Sequence, residues 1–328
     1  GEDRKNGCPA EIPFWRKPPM EKILCALPIF ELMKRMLTLV LIASLDLLGL
    51  GCQRSLMKVP QVLALPAGQG VRYDYGTDSL QFGELRLPPG EGPFPVVAII
   101  HGGCWLSAYD LRLMDAMATD FAGRGWATWN LEYRRVGDAG GGWPGTFVDV
   151  AEGIDYLRTL VETQPLDLEQ LIVVGHSAGG HLALWAGSRG GLPRKSPLYT
   201  GMPLQPAGVV SLAGIVDLAD YYDPDSGCGG AVDDLIGATP DSIPERYRQT
   251  SPVHLPLMNV PRILLTGTED PIVPTTHVNR YLAGRPDPDG LLQAREIRRV
   301  GHFEVIAPGS RAWPEVVQAI DDLFNTVQ

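Results

Sequence analysis

The residues with the clearest chemical potential lie in the segment LIVVGHSAGG, residues 171–180. Here Ser177 has a glycine two positions before it, Gly175, and another two positions after it, Gly179. A serine on a sharp turn between a buried strand and a helix can attack a carbonyl carbon. The flanking glycines are needed because larger side chains would clash with the adjoining strand and helix. The pattern therefore predicts that Ser177 is a nucleophile, with a structural Gly-Ser turn as the alternative.

A second chemical pattern, HGGCW at residues 101–105, follows the apolar run of residues 95–100. Two adjacent glycines allow backbone N–H groups to approach a substrate oxygen closely, as an oxyanion hole requires. The donors expected are the backbone N–H groups of Gly102, Gly103, Cys104 and Ala178. His101 is then expected to brace the loop and not to act as a base. Cys104 is a poor candidate nucleophile because no base is placed for it, and a plain Gly-Gly turn is the structural alternative.

An acid and a base that could complete a catalytic triad follow later strand-like runs. Asp270 comes just after residues 262–267, and residues past the carboxyl end of a parallel strand lie at the binding edge of the sheet. His302 follows the last such run and completes the chain order serine, acid, histidine. Glu269 and Asp217 are rival acids. The other histidines lack a comparable position: His101, His176, His181, His254 and His277.

These residues need a scaffold that brings the ends of several strands together, and the hydrophobic pattern predicts one. Strand-like runs lie at residues 72–75, 80–87, 95–100, 126–133, 171–174, 209–212, 263–266 and 294–300. Helical spacing or context marks residues 111–123, 147–160, 181–186 and 313–324. The alternation predicts an α/β protein with one doubly wound, mostly parallel eight-stranded sheet and helices on both faces. Residues 217–258 interrupt it and are expected to form a small cap or substrate loop.

With its motifs in this order, the chain resembles the α/β-hydrolase superfamily, and within it the esterase and lipase branch with an H-G-G-x-W oxyanion loop. That branch includes kynurenine formamidases and carboxylesterases. The resemblance runs from about residue 80 to the C-terminus and extends to the fragments EYRR at 132–135, GWP at 142–144 and PERY at 244–247. It implies a hydrolase that needs no cofactor and whose triad is Ser177, Asp270 and His302.

Together these features predict a serine hydrolase that cleaves small acyl esters through an acyl-enzyme. One alternative is an amide hydrolase of the same fold, either an arylformamidase or a prolyl-oligopeptidase-like peptidase. Another is a catalytically silent copy that serves as a binding protein. Aromatic residues in loops near the expected site either line an acyl or aryl pocket or pack the cap. They are Trp105, Tyr109, Trp143, Tyr221 and Tyr222.

Composition narrows the class of protein further. The 328 residues include 28 Lys and Arg against 38 Asp and Glu, a net charge of −10, and 45% of them are hydrophobic. An acidic surface repels phosphate backbones, so we expect a small-molecule substrate and no nucleic-acid partner. The five cysteines are too scattered for a disulfide framework and form no C-x-x-C pair, so no metal site is expected. Pairing of Cys104 with Cys228 stays open, and no oligomeric state is predicted.

The N-terminal residues have the pattern of a targeting sequence. Lys34 and Arg35 precede an apolar stretch, residues 36–51, which is shorter than the roughly 20 residues that span a bilayer. The segment resembles a bacterial lipoprotein signal, which implies lipidation of Cys52 and attachment to the cell envelope. An uncleaved tether, simple secretion, or a helix that begins a cytoplasmic protein are the alternatives. The expected divisions are a leader or remnant at 1–32, a signal at 33–51, a linker at 52–70 and the hydrolase domain at 71–328.

Overall fold

One eight-stranded sheet is the centre of the part of the chain that the computed structural model describes, residues 55–326. Its order is β1-β2-β4-β3-β5-β6-β7-β8. Strands β1 and β4 both pair antiparallel to β2, and every other pair is parallel. The strands are β1 Val71–Asp74, β2 Phe82–Arg86, β3 Phe94–Ile100, β4 Ala127–Leu131, β5 Leu166–His176, β6 Gly208–Leu212, β7 Arg262–Gly267 and β8 Leu292–Ile297. The predicted mostly parallel sheet is confirmed.

Helices cover both faces of this sheet. They are α1 Val59–Leu63, α2 Asp115–Gly123, α3 Gly145–Asp155, α4 Leu157–Leu160, α5 Ala178–Ala186, α6 Leu218–Tyr221, α7 Gly227–Ile236, α8 Pro244–Thr250, α9 Thr275–Gly284 and α10 Trp313–Asn325. Single turns of 3-10 helix occur at Leu111–Met114, Arg189–Gly191, Pro252–His254 and Glu304–Ile306. The helix expected at residues 111–123 is thus a 3-10 turn followed by α2, and the one expected at 147–160 is divided between α3 and α4.

Strand β3 in the middle of the sheet is apolar along its whole length because both of its faces are covered. Successive side chains of a strand point to opposite faces. In β3, Val97 and Ile99 therefore join the core layer that contains residues of α2 and α10. Ala98 and Ile100 join the layer that contains residues of α3 and α5. The two layers hold the sheet rigid, so the loops at its carboxyl edge have fixed starting points.

The segment before the sheet differs from the linker expected at residues 52–70. Residues 59–63 form α1, and Val62 is buried in the same core layer as α2 and α10. The backbone N–H of Met57 donates to the Glu304 carboxylate at 2.8 Å. The compact unit therefore begins at Leu56 and not at residue 71. The apolar side chains of this short segment explain the difference, since they gain from burial on the domain.

The expected signal segment and Cys52 lie outside the described residues. Within residues 55–326, no helix combines the length and the apolar character that crossing a membrane requires.

The segment between β6 and β7 forms helices α6, α7 and α8 and the 3-10 turn at Pro252–His254. It therefore has a structure of its own, as expected for residues 217–258. It is joined to the rest of the domain by a disulfide between Cys228 in α7 and Cys104 in the HGGCW turn. The pairing that the sequence left open is thereby settled.

Candidate active site

Ser177 lies on the turn between β5 and α5, where the sequence pattern places it. Its backbone has φ 55° and ψ −119°, a conformation that costs energy for a residue other than glycine. A Cβ on Gly175 would lie 2.0 Å from the carbonyl oxygen of Gly179, and a Cβ on Gly179 would lie 2.2 Å from that of Ile100. Both flanking glycines are therefore required by the close approach of backbone atoms. The turn presents the serine at the N-terminus of α5.

The side chains of His302 and Asp270 form a buried pair. His302 Nδ1 donates to Asp270 Oδ2 at 2.7 Å. The other carboxylate oxygen, Oδ1, accepts the backbone N–H groups of Ile272 at 2.8 Å and Val273 at 2.9 Å. One oxygen thus fixes the carboxylate in its loop while the other orients the imidazole. This arrangement places the proton on Nδ1 and leaves Nε2 of His302 able to accept one.

The two rival acids have other positions. Glu269 is exposed. Asp217 caps the start of α6, where its side chain accepts the backbone N–H groups of Ala219 and Asp220 at 3.0 and 3.3 Å. Its hydrogen bonds are therefore those of a helix cap. Of the three acids considered, Asp270 alone is paired with His302.

Two histidines near the serine are buried and neutral. Burial lowers the pKa of His176 well below its ordinary value. Its Nε2 donates to the backbone carbonyl of His302 at 2.9 Å, and the two rings lie 4.6 Å apart. Burial lowers the pKa of His181 to about 4, and its Nε2 donates to the carbonyl of Thr250 at 3.0 Å. His176 thus supports the loop of His302 and does not replace it as a base.

His101 has the contacts of a bracing residue. Its Nε2 lies 3.0 Å from a carboxylate oxygen of Glu132, and its ring stacks on Tyr133 at 4.3 Å. The Tyr133 hydroxyl donates to the backbone carbonyl of His101 at 2.8 Å. Glu132 also accepts the backbone N–H of Leu111 at 3.1 Å. The EYRR fragment therefore holds the strand end from which the HGGCW turn leaves the sheet.

The turn expected to supply oxyanion donors passes next to the serine. A Cβ on Gly102 would lie 3.1 Å from the Cβ of Ser177 and 2.7 Å from the carbonyl oxygen of His176. Gly103 has φ 108° and Cys104 has φ 53°, so the chain bends sharply after Gly102. Ala178, the other expected donor, is the first residue of α5. Gly102 and Ala178 are thus neighbours of Ser177 on two sides, and their role as donors stays a prediction.

Comparison with known families identifies this arrangement. The family model named BD-FAE matches residues 84–282, more than half of the chain. The chain belongs to the BD-FAE family. The match begins in β2, ends in α9, and includes both the HGGCW turn and the serine turn.

Individual relatives of this BD-FAE protein carry esterase names. It is 28% identical over 265 residues to esterase LipC of Mycobacterium tuberculosis, an alignment that covers 77% of this chain and 64% of LipC. The chain thus spans less than two thirds of that curated relative. A truncated carbohydrate esterase from gut microbiota has a TM-score of 0.67 at 18% identity, covering 79% of this chain and 96% of that one. Esterase Est2 of Thermogutta terrifontis has a TM-score of 0.64 at 17% identity, covering 81% and 97%. These structures establish the α/β-hydrolase fold.

The five aromatic residues expected near the site divide into two groups. The Trp105 side chain is fully buried, and its indole N–H donates to His181 Nδ1 at 3.3 Å. Trp105 therefore belongs to the core beneath the loop, so of the two roles expected for it the structure supports packing and not the lining of a pocket. The other four are half-buried: Tyr109, Trp143, Tyr221 and Tyr222. Because they keep exposed surface, they stay candidates for a substrate pocket.

Glu304 is a residue near the candidate site that the sequence did not reveal. Its Oε2 accepts the backbone N–H of Gly301 at 3.1 Å, and its Oε1 accepts that of Met57. The carboxylate thus holds the backbone just before His302 and ties it to the segment before α1. Its position two residues after the histidine was the one available signal, and this spacing has no chemical meaning without the fold.

Proposed function

We propose that this protein is a serine carboxylesterase that hydrolyses small acyl esters through an acyl-enzyme. The observation that carries the proposal is the buried His302–Asp270 pair, on a sheet whose β5–α5 turn holds Ser177 in a strained conformation. The esterase names of the relatives in the same fold agree with it.

The reaction would begin with attack of the Ser177 hydroxyl on the acyl carbonyl carbon, while His302 Nε2 takes the hydroxyl proton. Asp270 stabilises the resulting imidazolium through the bond to Nδ1. The backbone N–H groups expected to bind the oxyanion are those of Gly102, Gly103, Cys104 and Ala178. Each such donor lowers the barrier by about 3 kcal/mol. His302 then gives its proton to the departing alcohol, and a water molecule releases the acid by the same steps.

The cap segment supports a preference for short acyl groups. Helices α6, α7 and α8 have only four, ten and seven residues, so the segment is short for enclosing a long lipid chain. The solved complexes of Est2 with propionate and with butyrate show that this fold accepts small acids in that relative. We therefore infer acetyl to butyryl esters in preference to triglycerides.

Hydrolysis of p-nitrophenyl acetate tests the proposal. Ser177→Ala should abolish turnover and labelling by a fluorophosphonate probe, because the attacking oxygen is lost. Ser79→Ala is the matched control, since Ser79 is exposed on a turn between β1 and β2 and its substitution should leave kcat unchanged. Full activity of Ser177→Ala would refute the assignment, and a wild type that resists the probe would favour the silent binding protein.

A substrate panel decides between ester and amide hydrolysis. We expect turnover of p-nitrophenyl acetate and butyrate to exceed that of N-formylkynurenine and of dipeptide amides. Faster hydrolysis of the formamide or the amides would favour the arylformamidase or the peptidase alternative, because the triad serves both reactions.

We also propose that the protein is exported and anchored in the cell envelope through lipidated Cys52. The Cys104–Cys228 disulfide supports export, since disulfides persist in oxidising compartments. Intact-mass measurement of protein from the native membrane fraction should find a diacyl group at Cys52 and no residues before it. Cys52→Ala should release the protein from that fraction, and an unmodified, intact N-terminus would refute the proposal.

A further inference from the structure

The disulfide joins two parts of the molecule that the proposed reaction needs. Cys104 stands in the HGGCW turn, directly after the two glycines that lie beside the nucleophile. Cys228 is the second residue of α7, in the segment between β6 and β7. Their Cα atoms are 4.9 Å apart although 124 positions separate them in the sequence. The first turn of α7 is therefore held directly against the turn expected to bind the oxyanion.

The HGGCW turn has a backbone that requires external support. Gly103, Cys104 and Trp105 have φ values of 108°, 53° and 57°, and residues other than glycine avoid this region. Trp105 is held by burial and by its hydrogen bond to His181. Cys104, half-buried, is held through its sulfur. The disulfide thus secures one of the two unfavourable residues in this turn.

The start of α7 also depends on the disulfide. Residues 223–226 are exposed. The side-chain hydrogen bonds in this stretch stay local: Asp223 accepts from the N–H of Asp225, and Ser226 accepts from that of Gly229. The far end of α7 is anchored by buried Leu235, whose carbonyl accepts the N–H of Trp143 at 2.7 Å. Among the described contacts of residues 223–230, the disulfide is thus the strongest link to the rest of the domain.

We propose that the Cys104–Cys228 disulfide is a positioning element of the active site, which keeps the first turn of α7 closed on the oxyanion turn. It holds the backbone N–H groups of Gly103 and Cys104 in the geometry that stabilises the tetrahedral intermediate. The cap helix and the oxyanion turn then move as one unit. This inference rests on the carboxylesterase function proposed above.

Opening the bond should therefore act mainly on the chemical step. Removal of one oxyanion donor lowers kcat by about 10²–10³-fold, and a donor that is loosened but present costs less. We expect kcat to fall by about 10- to 100-fold in Cys228→Ser, with KM changed by less than about threefold, because donors to the oxyanion act on the transition state. A disulfide with a merely structural role would lower the Tm and leave kcat at 25 °C unchanged.

The experiment compares the oxidised wild type, Cys228→Ser and a control on the same helix. Asp234→Ala is the control because Asp234 is exposed in α7, and its kcat should equal that of the wild type. Dithiothreitol provides a second perturbation without substitution. It reduces the disulfide to two thiols and is itself oxidised to its cyclic disulfide. Glutathione disulfide should then restore both the bond and kcat, while far-UV circular dichroism checks that the reduced protein stays folded.

The possible outcomes test the positioning role of the disulfide and the proposed esterase function separately. Loss of kcat on reduction, recovery on reoxidation, and no further effect of dithiothreitol on Cys228→Ser support the positioning role. Wild-type kcat in reduced protein or in Cys228→Ser overturns it and leaves the esterase assignment intact. An equal effect of dithiothreitol on Cys228→Ser also overturns it, since another cysteine would then be responsible. Absence of hydrolysis and of fluorophosphonate labelling in the oxidised wild type refutes the proposed function and this inference together.

Discussion

Asp270→Asn should lower kcat by about four orders of magnitude while the protein stays folded. The asparagine oxygen can take the place of Oδ1 and still accept the N–H groups of Ile272 and Val273, which lie at 2.8 and 2.9 Å. Its amide nitrogen then faces His302 Nδ1, where Oδ2 accepts at 2.7 Å in the wild type. Two donors cannot share this contact, so Nδ1 must give up its proton. The proton moves to Nε2, which can no longer accept one from Ser177.

The size of the effect follows from this reversal of the tautomer. In a serine-protease triad the same aspartate-to-asparagine change lowers kcat by about 10⁴-fold with the geometry intact, which corresponds to about 5.4 kcal/mol of barrier. The carboxylate here is equally enclosed, because the Asp270 side chain has no exposed surface. Solvent therefore cannot take over its role by supplying another acceptor to Nδ1.

Steady-state hydrolysis of p-nitrophenyl acetate measures kcat, and thermal unfolding measures the effect on the fold. Glu269→Gln is the matched control because Glu269 is adjacent in sequence but exposed, and it should keep wild-type kcat. A fall in kcat of less than tenfold in Asp270→Asn, with an unchanged Tm, would show that this carboxylate does not orient the catalytic base. A large loss of activity in Glu269→Gln would show that the wrong acid has been assigned.

Three further predictions concern the surroundings of the triad. Gly102→Ala should lower kcat at least tenfold, because the added Cβ would lie 2.7 Å from the backbone carbonyl oxygen of His176 and must displace the HGGCW turn; wild-type kcat would refute this. Acidification should destabilise the fold, because an unfolded histidine takes up a proton near pH 6.5 whereas buried His181 does so only at about 4. The contribution of His181 to the free energy of unfolding is therefore complete above pH 6.5 and about 3 kcal/mol smaller at pH 4. The free energy of urea unfolding of His181→Gln should depend less on pH over this interval than that of the wild type. Reduction of the disulfide should lower the free energy of unfolding by about 2–5 kcal/mol, and an unchanged urea midpoint would contradict that value.

The positions of the proposed triad residues could be predicted because their signals are local. Gly175 and Gly179 are required by contacts within one strand–turn–helix unit and its neighbour β3, so the pattern around Ser177 already contains the geometry. Asp270 and His302 each follow a strand-like run, and parallel strands bring their carboxyl ends to one edge. The choice between Asp270 and Glu269 depends on which side chain the turn before Pro271 directs inward, and this is a property of the folded turn.

The features that the sequence did not reveal depend on distant parts of the chain. Helix α9 combines polar residues with an apolar stripe of only Val278, Tyr281 and Leu282, and its buried residues include His277. This stripe is too short to stand out as a helix in the sequence. The docking of α1 depends on the core layer that α2 and α10 form, where Val62 is buried. Pairing of Cys104 with Cys228 depends on how a 42-residue segment between two strands folds. The sequence leaves open whether Trp105 lines a pocket or packs, because its loop is near the site, and only the packed structure shows that its side chain is fully buried.

Three residues with an unfavourable backbone conformation lie where the proposed chemistry occurs. Ser177, Cys104 and Trp105 all have positive φ values, and each is held by a separate constraint: the start of α5, the disulfide and burial in the core. Such conformations persist only when the surrounding contacts fix them strongly enough to offset the strain. A site built in this way is rigid before the substrate arrives, which is what stabilising an oxyanion requires. Substitutions that let these residues return to an ordinary backbone conformation should therefore reduce kcat more than their effect on stability suggests. Some of these substitutions should raise the Tm.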